Sequence, residues 1–345
     1  MPTIQDVARA AGVSTSTVSR ALSGSRRVAP DLVARVAAVA RELDYRPHSL
    51  ARNLRQRASG VWGLVISDVE NAFFTSIVRG IEDGARAAGY SVILCSSDGD
   101  LAKEAEHIEL MIAERVAGVA IATASSEECQ VRPLLERGIP VVAVDREIVR
   151  GDVDTVVADN AGGAAAATRH LVQGGATRIG CITGPRAVST AVERLEGYRS
   201  AIVEAGLPYD RRLVRFADFK QRGGHDAALE LLDVAEAIDA LFVTNNLMTA
   251  GALQALSDRG VGVPGRLPLV SFDETYWTAL VQPRLTTVAQ PTFEMGTVAA
   301  QLLAERIAGG AGPGRRRVLG TRLVVRDSSR PRDRAGALSS PRSEA

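Results

Sequence analysis

Two sets of residues in this 345-residue chain have types and spacing suited to recognition chemistry. The first is Ser14-Thr-Ser-Thr-Val-Ser-Arg20, small hydroxyl side chains and one arginine directly after the run DVARAAGV. On a helix, hydroxyls of this size allow close approach to a polar surface. Thr15 and Ser16 can then hydrogen-bond base edges or touch a thymine methyl, and the planar fork of Arg20 matches O6 and N7 of guanine. Ser14, Thr17 and Ser19 suit helix caps and phosphate contacts, which set register and not sequence. The second set closes apolar runs: Asp145 ends PVVAVD, Asn245 ends LFVTN and Asp273 ends LVSFD, with Asp68 and Asp159 similarly placed. These groups suit the hydroxyls of a small polar ligand, Phe73 and Phe74 offer an aromatic face, and Arg194 could donate to a ligand oxygen or form a salt bridge. Strand-end Asp and Asn serve equally well as helix caps and turn formers.

Short helices must carry the first set. Thr3 caps a helix whose apolar residues Ile4, Val7, Ala8 and Ala11 recur at helical spacing, with Asp6 near the positive end of its dipole; the helix stops at Gly12. Ser14 caps a second, with Val18, Ala21 and Leu22 facing inward, and a third begins at Pro30 and runs to a stop near Tyr45. Two short helices joined by a Gly-containing turn form a helix-turn-helix, whose second helix enters the major groove. Charge agrees: residues 1–60 hold ten arginines and no lysine against four acids, a net +6, which leaves −5 for the remainder. A basic head on a mildly acidic body suits a polyanion partner, although a soluble basic patch or a plain three-helix module would share part of this pattern. Beyond Pro47, Leu50, Ala51 and Leu54 make a narrow apolar stripe flanked by Arg52, Arg55 and Arg57. Paired stripes from two chains could wedge Leu54 into a minor groove; a linker with incidental leucines is the alternative.

The stretches TIQDVARAAGVSTSTVSRALSG and VAPDLVARVAAVARELDYRPHSLARNLR resemble the DNA-binding head and hinge of the lactose-repressor/galactose-repressor family of transcriptional regulators. The resemblance implies that Thr15, Ser16 and Arg20 read bases, that Tyr45 and the N-terminal turn with Thr3 hold phosphates, and that Leu54 intercalates. Arg27, His48, Ala51 and Arg52 complete the DNA-binding set it implies. Ala29 stands where the family often has Ser or Thr, so the cap of the third helix departs from the pattern.

From Val61 the pattern changes to apolar strands alternating with helices. VWGLVIS, YSVILCSS, GVAIAT and PVVAVD read as strands buried on both faces, and RIGCITG, ALFVTN and LPLVSFD restart the series. Helices are expected near 73–88, 104–115, 161–173, 192–205, 223–232 and 248–259. Two such series predict two doubly wound parallel-sheet lobes, with any ligand beyond the carboxyl ends of the strands. GLVISDVENAFF, TAVERLEGYRSA, FVTNNLMTAGALQAL and SFDETYWTALVQPRLTTVAQP resemble the same family's body and the periplasmic sugar-binding proteins that share its fold. That resemblance implies an effector pocket of Phe73, Phe74, Asp145, Arg194, Asn245 and Asp273, with Trp277 as a stacking wall. It also implies a hinge of three crossings near Asp159, Ala289 and Gly320. Asn71-Ala72 and Asn245-Asn246 depart from the family's usual Asn-Pro and Asn-Asp.

The domains expected are a helix-turn-helix head over 1–46, a hinge helix and linker over 47–59 and a two-lobed effector-binding and dimerisation body over 60–327. Its first lobe takes about 60–159 and 290–319, its second about 160–289 and 320–327. A disordered tail is expected over 328–345, where the polar, Pro-containing sequence holds no heptads, which favours a homodimer over a coiled-coil tetramer. Cys95 and Cys181 read as packing thiols in buried strands, and no metal spacing links the three cysteines. No apolar run approaches the ~20 residues that span a bilayer, nor is there a signal-peptide pattern, so a cytoplasmic location is expected. GVGVPG, Gly260–Gly265, matches a dinucleotide-binding fingerprint in letters only, since it follows a helix and leads into a strand. The four histidines have no evident nucleophile partner. The expectation is a sequence-specific repressor of double-stranded operator DNA, controlled by a sugar or sugar-like metabolite, with no catalytic activity, cofactor or metal.

Overall fold

The structure, a computed structural model, describes residues 2–22, 28–45, 59–128, 130–233 and 238–330. The chain divides into two compact units, Met1–Gly60 and Val61–Ala345.

In the first unit, α1 (Ile4–Ala11) opens with a capping box: the Thr3 hydroxyl accepts from the Asp6 amide at 3.3 Å, and the Asp6 carboxylate accepts from the Thr3 amide at 2.8 Å. Gly12 ends it at φ 64°, a left-handed conformation that costs little without a Cβ. Ser14 then accepts the Thr17 amide at 3.2 Å and starts α2 (Thr15–Leu22). The third helix, α3 (Pro30–Glu42), has proline in its first turn, but Ala29 gives it no side-chain cap. Val7, Val18 and Val36, one from each helix, meet with no exposure. Burying each is worth about 1.5–3 kcal/mol, a small core that suits a short three-helix unit.

The second unit is built on two six-stranded sheets. Its first lobe holds β1 (Val61–Ile66), β2 (Ser91–Ser96), β3 (Gly118–Ile121), β4 (Val141–Val144) and β5 (Asp154–Ala158), with β11 (Arg316–Leu319) returning as an edge, in the order β11-β5-β4-β3-β1-β2. All of these strands pair in parallel. The second lobe holds β6 (Ile179–Thr183), β7 (Val214–Phe216), β8 (Ala240–Val243), β9 (Leu269–Phe272), β10 (Thr286–Ala289) and β12 (Arg322–Val324), in the order β12-β10-β9-β8-β6-β7. Here β12 runs antiparallel to β10, so this sheet is parallel with one antiparallel edge and not wholly parallel as the sequence suggests. Helices α4 (Ala72–Ala87), α5 (Leu101–Ala113) and α6 (Arg132–Glu136) connect the first lobe, and α11 (Thr292–Ile307) packs on α4. The second lobe is connected by α7 (Asn160–Gln173), α8 (Ser189–Glu204), α9 (Gln221–Leu232) and α10 (Asn246–Asp258). Helices α9 and α10 approach so closely that a Cβ on Gly251 would collide with the Gln221 carbonyl. The chain crosses between lobes after β5, after β10 and again between β11 and β12. None of the helices among the described residues is long and apolar enough to cross a membrane.

Two expectations change. YSVILCSS is not buried on both faces: β2 ends its sheet, pairs only with β1, exposes Leu94 and leaves Cys95 half-buried. The tail is ordered for three residues further than expected. Asp327–Ser329 form a 3-10 turn in which the buried Ser328 hydroxyl accepts from the Thr286 amide at 2.8 Å and donates to the Leu269 carbonyl at 2.7 Å. The Ser328 hydroxyl stands in for backbone partners at the starts of β9 and β10, a role that polarity alone does not reveal. Residues 331–345 lie outside the described residues.

Candidate functional site

In the head, α2 presents Thr15 and Arg20 to solvent, with Ser16, Thr17 and Ser19 half-buried beside them. The Ser14 hydroxyl lies 2.8 Å from both the Ser16 and the Thr17 hydroxyl, so one side chain caps the helix and orders its first turn. Thr3 is engaged in its capping box, and Tyr45 is half-buried against the head core, its amide donating to Ala40 at 2.8 Å. The arrangement offers an exposed, rigid, hydroxyl-lined helix start with an arginine farther along the helix. Arg27, His48, Ala51, Arg52 and Leu54 lie outside the described residues.

In the body, a cavity of about 470 Å³ opens between the lobes at the carboxyl ends of the strands. Phe73, Phe74, Asp145, Arg194, Asn245 and Asp273, separated by up to 200 positions in the chain, all line it. Each lobe contributes through the same local device. Asp145 follows β4 at φ 69°, and its amide donates to Val156 of the next strand at 2.9 Å. Asp273 follows β9 at φ 74°, and its amide donates to Val288 at 3.0 Å. Left-handed backbone at a residue other than glycine costs about 1–3 kcal/mol and clusters at functional positions, where it turns the side chain out of the sheet.

Arg194, from α8, is almost fully buried. Its Nε donates to Asn160 Oδ1 at 2.8 Å and its Nη1 to the Thr244 carbonyl at 2.7 Å, while Nη1 stands 3.8 Å from Asp273. The guanidinium lies 3.9 Å over the Phe272 ring, which fixes its plane. Asp273 also accepts from the Gln290 amide nitrogen at 2.7 Å. Burial pushes its carboxyl above the usual range, with Arg194 and Gln290 opposing. Asp145 moves the same way: burial raises it from an ordinary 3.8 to about 6, opposed by Arg146 and Arg194. Asn245 caps α10 by accepting from Met248 at 2.9 Å and lines the cavity as well, so capping and lining coexist in one residue. Asp159, by contrast, caps α7 through the Gly162 amide at 2.8 Å and does not line the cavity. Phe73 and Phe74 meet edge to face at 5.0 Å in the first turn of α4, which Asn71 caps.

Trp277 does not take the wall position. It sits in the 3-10 turn Tyr276–Ala279 and packs, partly buried, against the second lobe's core. The aromatic wall opposite the paired phenylalanines is Phe219, just after β7 at φ 62°, whose ring occupies the space a Cβ on Gly184 would fill. Arg146, Lys220 and Ser67 also line the cavity without having been singled out in the sequence. Arg146 had a signal, since it follows Asp145 directly; Phe219 and Lys220 lie on a loop between a three-residue edge strand and a helix, where no periodicity marks them.

Direct bridges cross the cleft. Lys220 Nζ meets Asp68 Oδ2 at 2.6 Å near the mouth, and Asn246 Nδ2 donates to Asn71 Oδ1 at 2.9 Å in the interior. An aspartate at position 246, the more usual family residue, would bring no N–H to Asn71, so the departure at 246 makes a matched amide pair. Nearer the crossings, Ser189 accepts from the Glu147 amide at 3.0 Å, and its own amide donates to Ser126 at 3.0 Å.

A helix-turn-helix head followed by a two-lobed body with a polar cleft at its strand ends defines a regulator of DNA that answers to a small ligand. Comparison with known proteins agrees along the chain. Residues 3–48 match the family model for bacterial regulatory proteins of the lacI family, and residues 168–329 match that for a periplasmic binding protein-like domain. The ribose operon repressor of Escherichia coli (strain K12) is 36% identical over 309 residues, 89% of this chain and 93% of the relative. Among solved structures, the lac repressor dimer bound to operator and the anti-inducer ONPF superposes with a TM-score of 0.83 at 25% identity, covering 95% of this chain and 99% of that one. The complex of the transcriptional regulator CelR with cellobiose covers 95% of this chain and 100% of its own at 33% identity, with a TM-score of 0.73. The chain belongs to the lacI family of bacterial regulatory proteins.

Proposed function

We propose that this protein is a cytoplasmic homodimeric repressor that binds a two-fold-symmetric operator through α2 and is switched by a sugar or sugar-like metabolite in the interlobe cleft. The observation that carries the reading is the pairing of an exposed, hydroxyl-lined α2 with a cleft lined by Asp145, Arg194, Asn245 and Asp273. The relatives support the ligand class: one is named for ribose and one was solved with cellobiose. The solved lac repressor on its operator is a dimer, and a two-fold protein reads a two-fold site. The role is binding alone, with no catalytic step; the GVGVPG segment lies in the turn between α10 and β9 and opens no phosphate-binding helix. Ligand bound between the lobes favours one lobe spacing over another, and it shifts DNA affinity only by its differential affinity for the two, typically about 1–3 kcal/mol.

The test is a fluorescence-anisotropy titration of the whole protein on its selected operator and on random duplex of equal length. Arg20→Ala should reduce discrimination between the two by about 1–3 kcal/mol. An equal loss on both duplexes would reduce Arg20 to a phosphate contact, and no operator preference in the parent protein would remove the repressor reading.

A further inference from the structure

Glu104 stands in the first turn of α5, is fully buried and does not line the cavity. An acid in a first turn complements the helix dipole from the surface and needs no burial to do so. Taking a carboxylate out of water is costly unless hydrogen bonds hold it. Those bonds come here from the loop over 122–126, which follows β3. Glu104 Oε2 accepts from the Ala124 amide at 2.5 Å, and Oε1 stands 3.2 Å from the Thr123 hydroxyl, whose proton also has the Ser125 carbonyl within reach at 2.8 Å. One buried side chain pins two consecutive residues of an irregular segment.

The pinned loop serves both lobes. On its own lobe the Thr123 carbonyl accepts from Arg146 Nη1 at 2.8 Å, and Ala124 and Ser125 line the cavity. Burial pushes the Arg146 guanidinium down, opposed by Asp145 and more weakly by Glu104, so Glu104 also favours the charge of the arginine that its loop holds. Toward the second lobe, the Ser126 amide donates to the Ala187 carbonyl at 3.0 Å, and the Ser126 hydroxyl accepts from the Ser189 amide at 3.0 Å. Ser189 is the first residue of α8, the helix that carries Arg194, and Val188 before it gives that helix no side-chain cap. A helix start leaves its first amides without partners, and a hydroxyl that accepts from one of them acts as a cap. Here the cap comes from the opposite lobe.

We propose that Glu104 is a positioning residue: by pinning the 122–126 loop it seats Arg146 and sets Ser126 as the cap of α8 across the lobe boundary. Separation of the lobes at this point uncaps the helix that carries Arg194, so lobe spacing and cavity geometry change together. Hydrogen exchange of the whole protein, read at single amides, tests this without ligand or DNA, so the repressor reading can fail while this one stands. Glu104→Ala should speed exchange at Ala124, Ser126 and Ser189 about tenfold relative to amides of β3 and β6, a local loss of about 1.4 kcal/mol. Ile108→Ala, which removes buried apolar bulk from the same helix, should leave that ratio at its parental value. Glu104→Gln should keep it too, because its carbonyl can accept from Ala124 while its N–H donates to Thr123. Glu104→Asp keeps the charge but falls one methylene short, and should speed the three amides by a smaller factor; it decides the matter if Glu104→Ala does not fold. Parental exchange at Ser126 and Ser189 in Glu104→Ala and Glu104→Asp overturns the inference. So does the same selective loosening in Ile108→Ala, or a Glu104→Gln that loosens these amides as Glu104→Ala does.

Discussion

Asp145 sits at φ 69° and, through burial first, has its carboxyl raised to about 6, so the fold holds it in an unfavourable backbone region with its charge disfavoured. A group under both penalties is a candidate for function over stability. The linkage has a definite sign. Between pH 3.8 and about 6 the native state binds a proton more tightly than the unfolded chain does, so stability falls as pH rises through that window, and the whole cost is present above it. A move from 3.8 to about 6 corresponds to about 3 kcal/mol. Asparagine tolerates left-handed backbone and cannot ionise. Asp145→Asn should therefore gain about 1–3 kcal/mol in urea unfolding at pH 7, and the gain should shrink toward pH 4. A gain that does not vary with pH would show that charge burial is not its cause. Asp154 is the opposite case: burial alone would raise its carboxyl, but hydrogen bonds from Arg306 and Arg315 outweigh burial and hold it well below the usual range. It lies at the start of β5, apart from the cleft, and its ion pairs tie β5 to the end of α11 and the segment before β11.

Among the elements, α3 carries the clearest local defect. Ala29 occupies the cap position with extended backbone, φ −61° and ψ 141°, yet offers no oxygen to the first-turn amides. Ala29→Ser should stabilise the helix by about 0.5–2 kcal/mol, read as slower hydrogen exchange of amides over 30–42 in the whole protein. Unchanged exchange there would mean that water already satisfies those amides. Helix starts were legible because caps are local chemistry: Thr3, Ser14 and Pro30 mark the three head helices within a residue. In the body the first turns began up to three residues earlier than apolar spacing suggested, as at α8, which starts at Ser189 ahead of Val192. Polar first turns carry no hydrophobic period. Edge strands were hidden for the same reason: β7, β11 and β12 have few buried side chains, and an element without a buried face has no alternation to read.

Taken whole, the chain is two units, Met1–Gly60 and Val61–Ala345, each with its own core. Thermal unfolding should therefore show two transitions. A ligand at 100 times its Kd should add about 2.7 kcal/mol to the transition of the body and leave that of the head in place. A single transition shifted as one would mean that head and body unfold cooperatively. The amino-acid sequence by itself determined the kinds of element, the two restarted strand series, the charge division of +6 against −5 and the six cleft residues carried by family resemblance. Those properties are written in neighbours a few positions apart, or in motifs short enough to match. Tertiary structure alone decided that Phe219 and not Trp277 forms the aromatic wall, that Lys220 meets Asp68 across 152 positions and that Arg146 reaches the cavity with its Nε in no hydrogen bond. Which side chains share a cleft depends on how two sheets are brought face to face, and no local spacing in the chain encodes that distance.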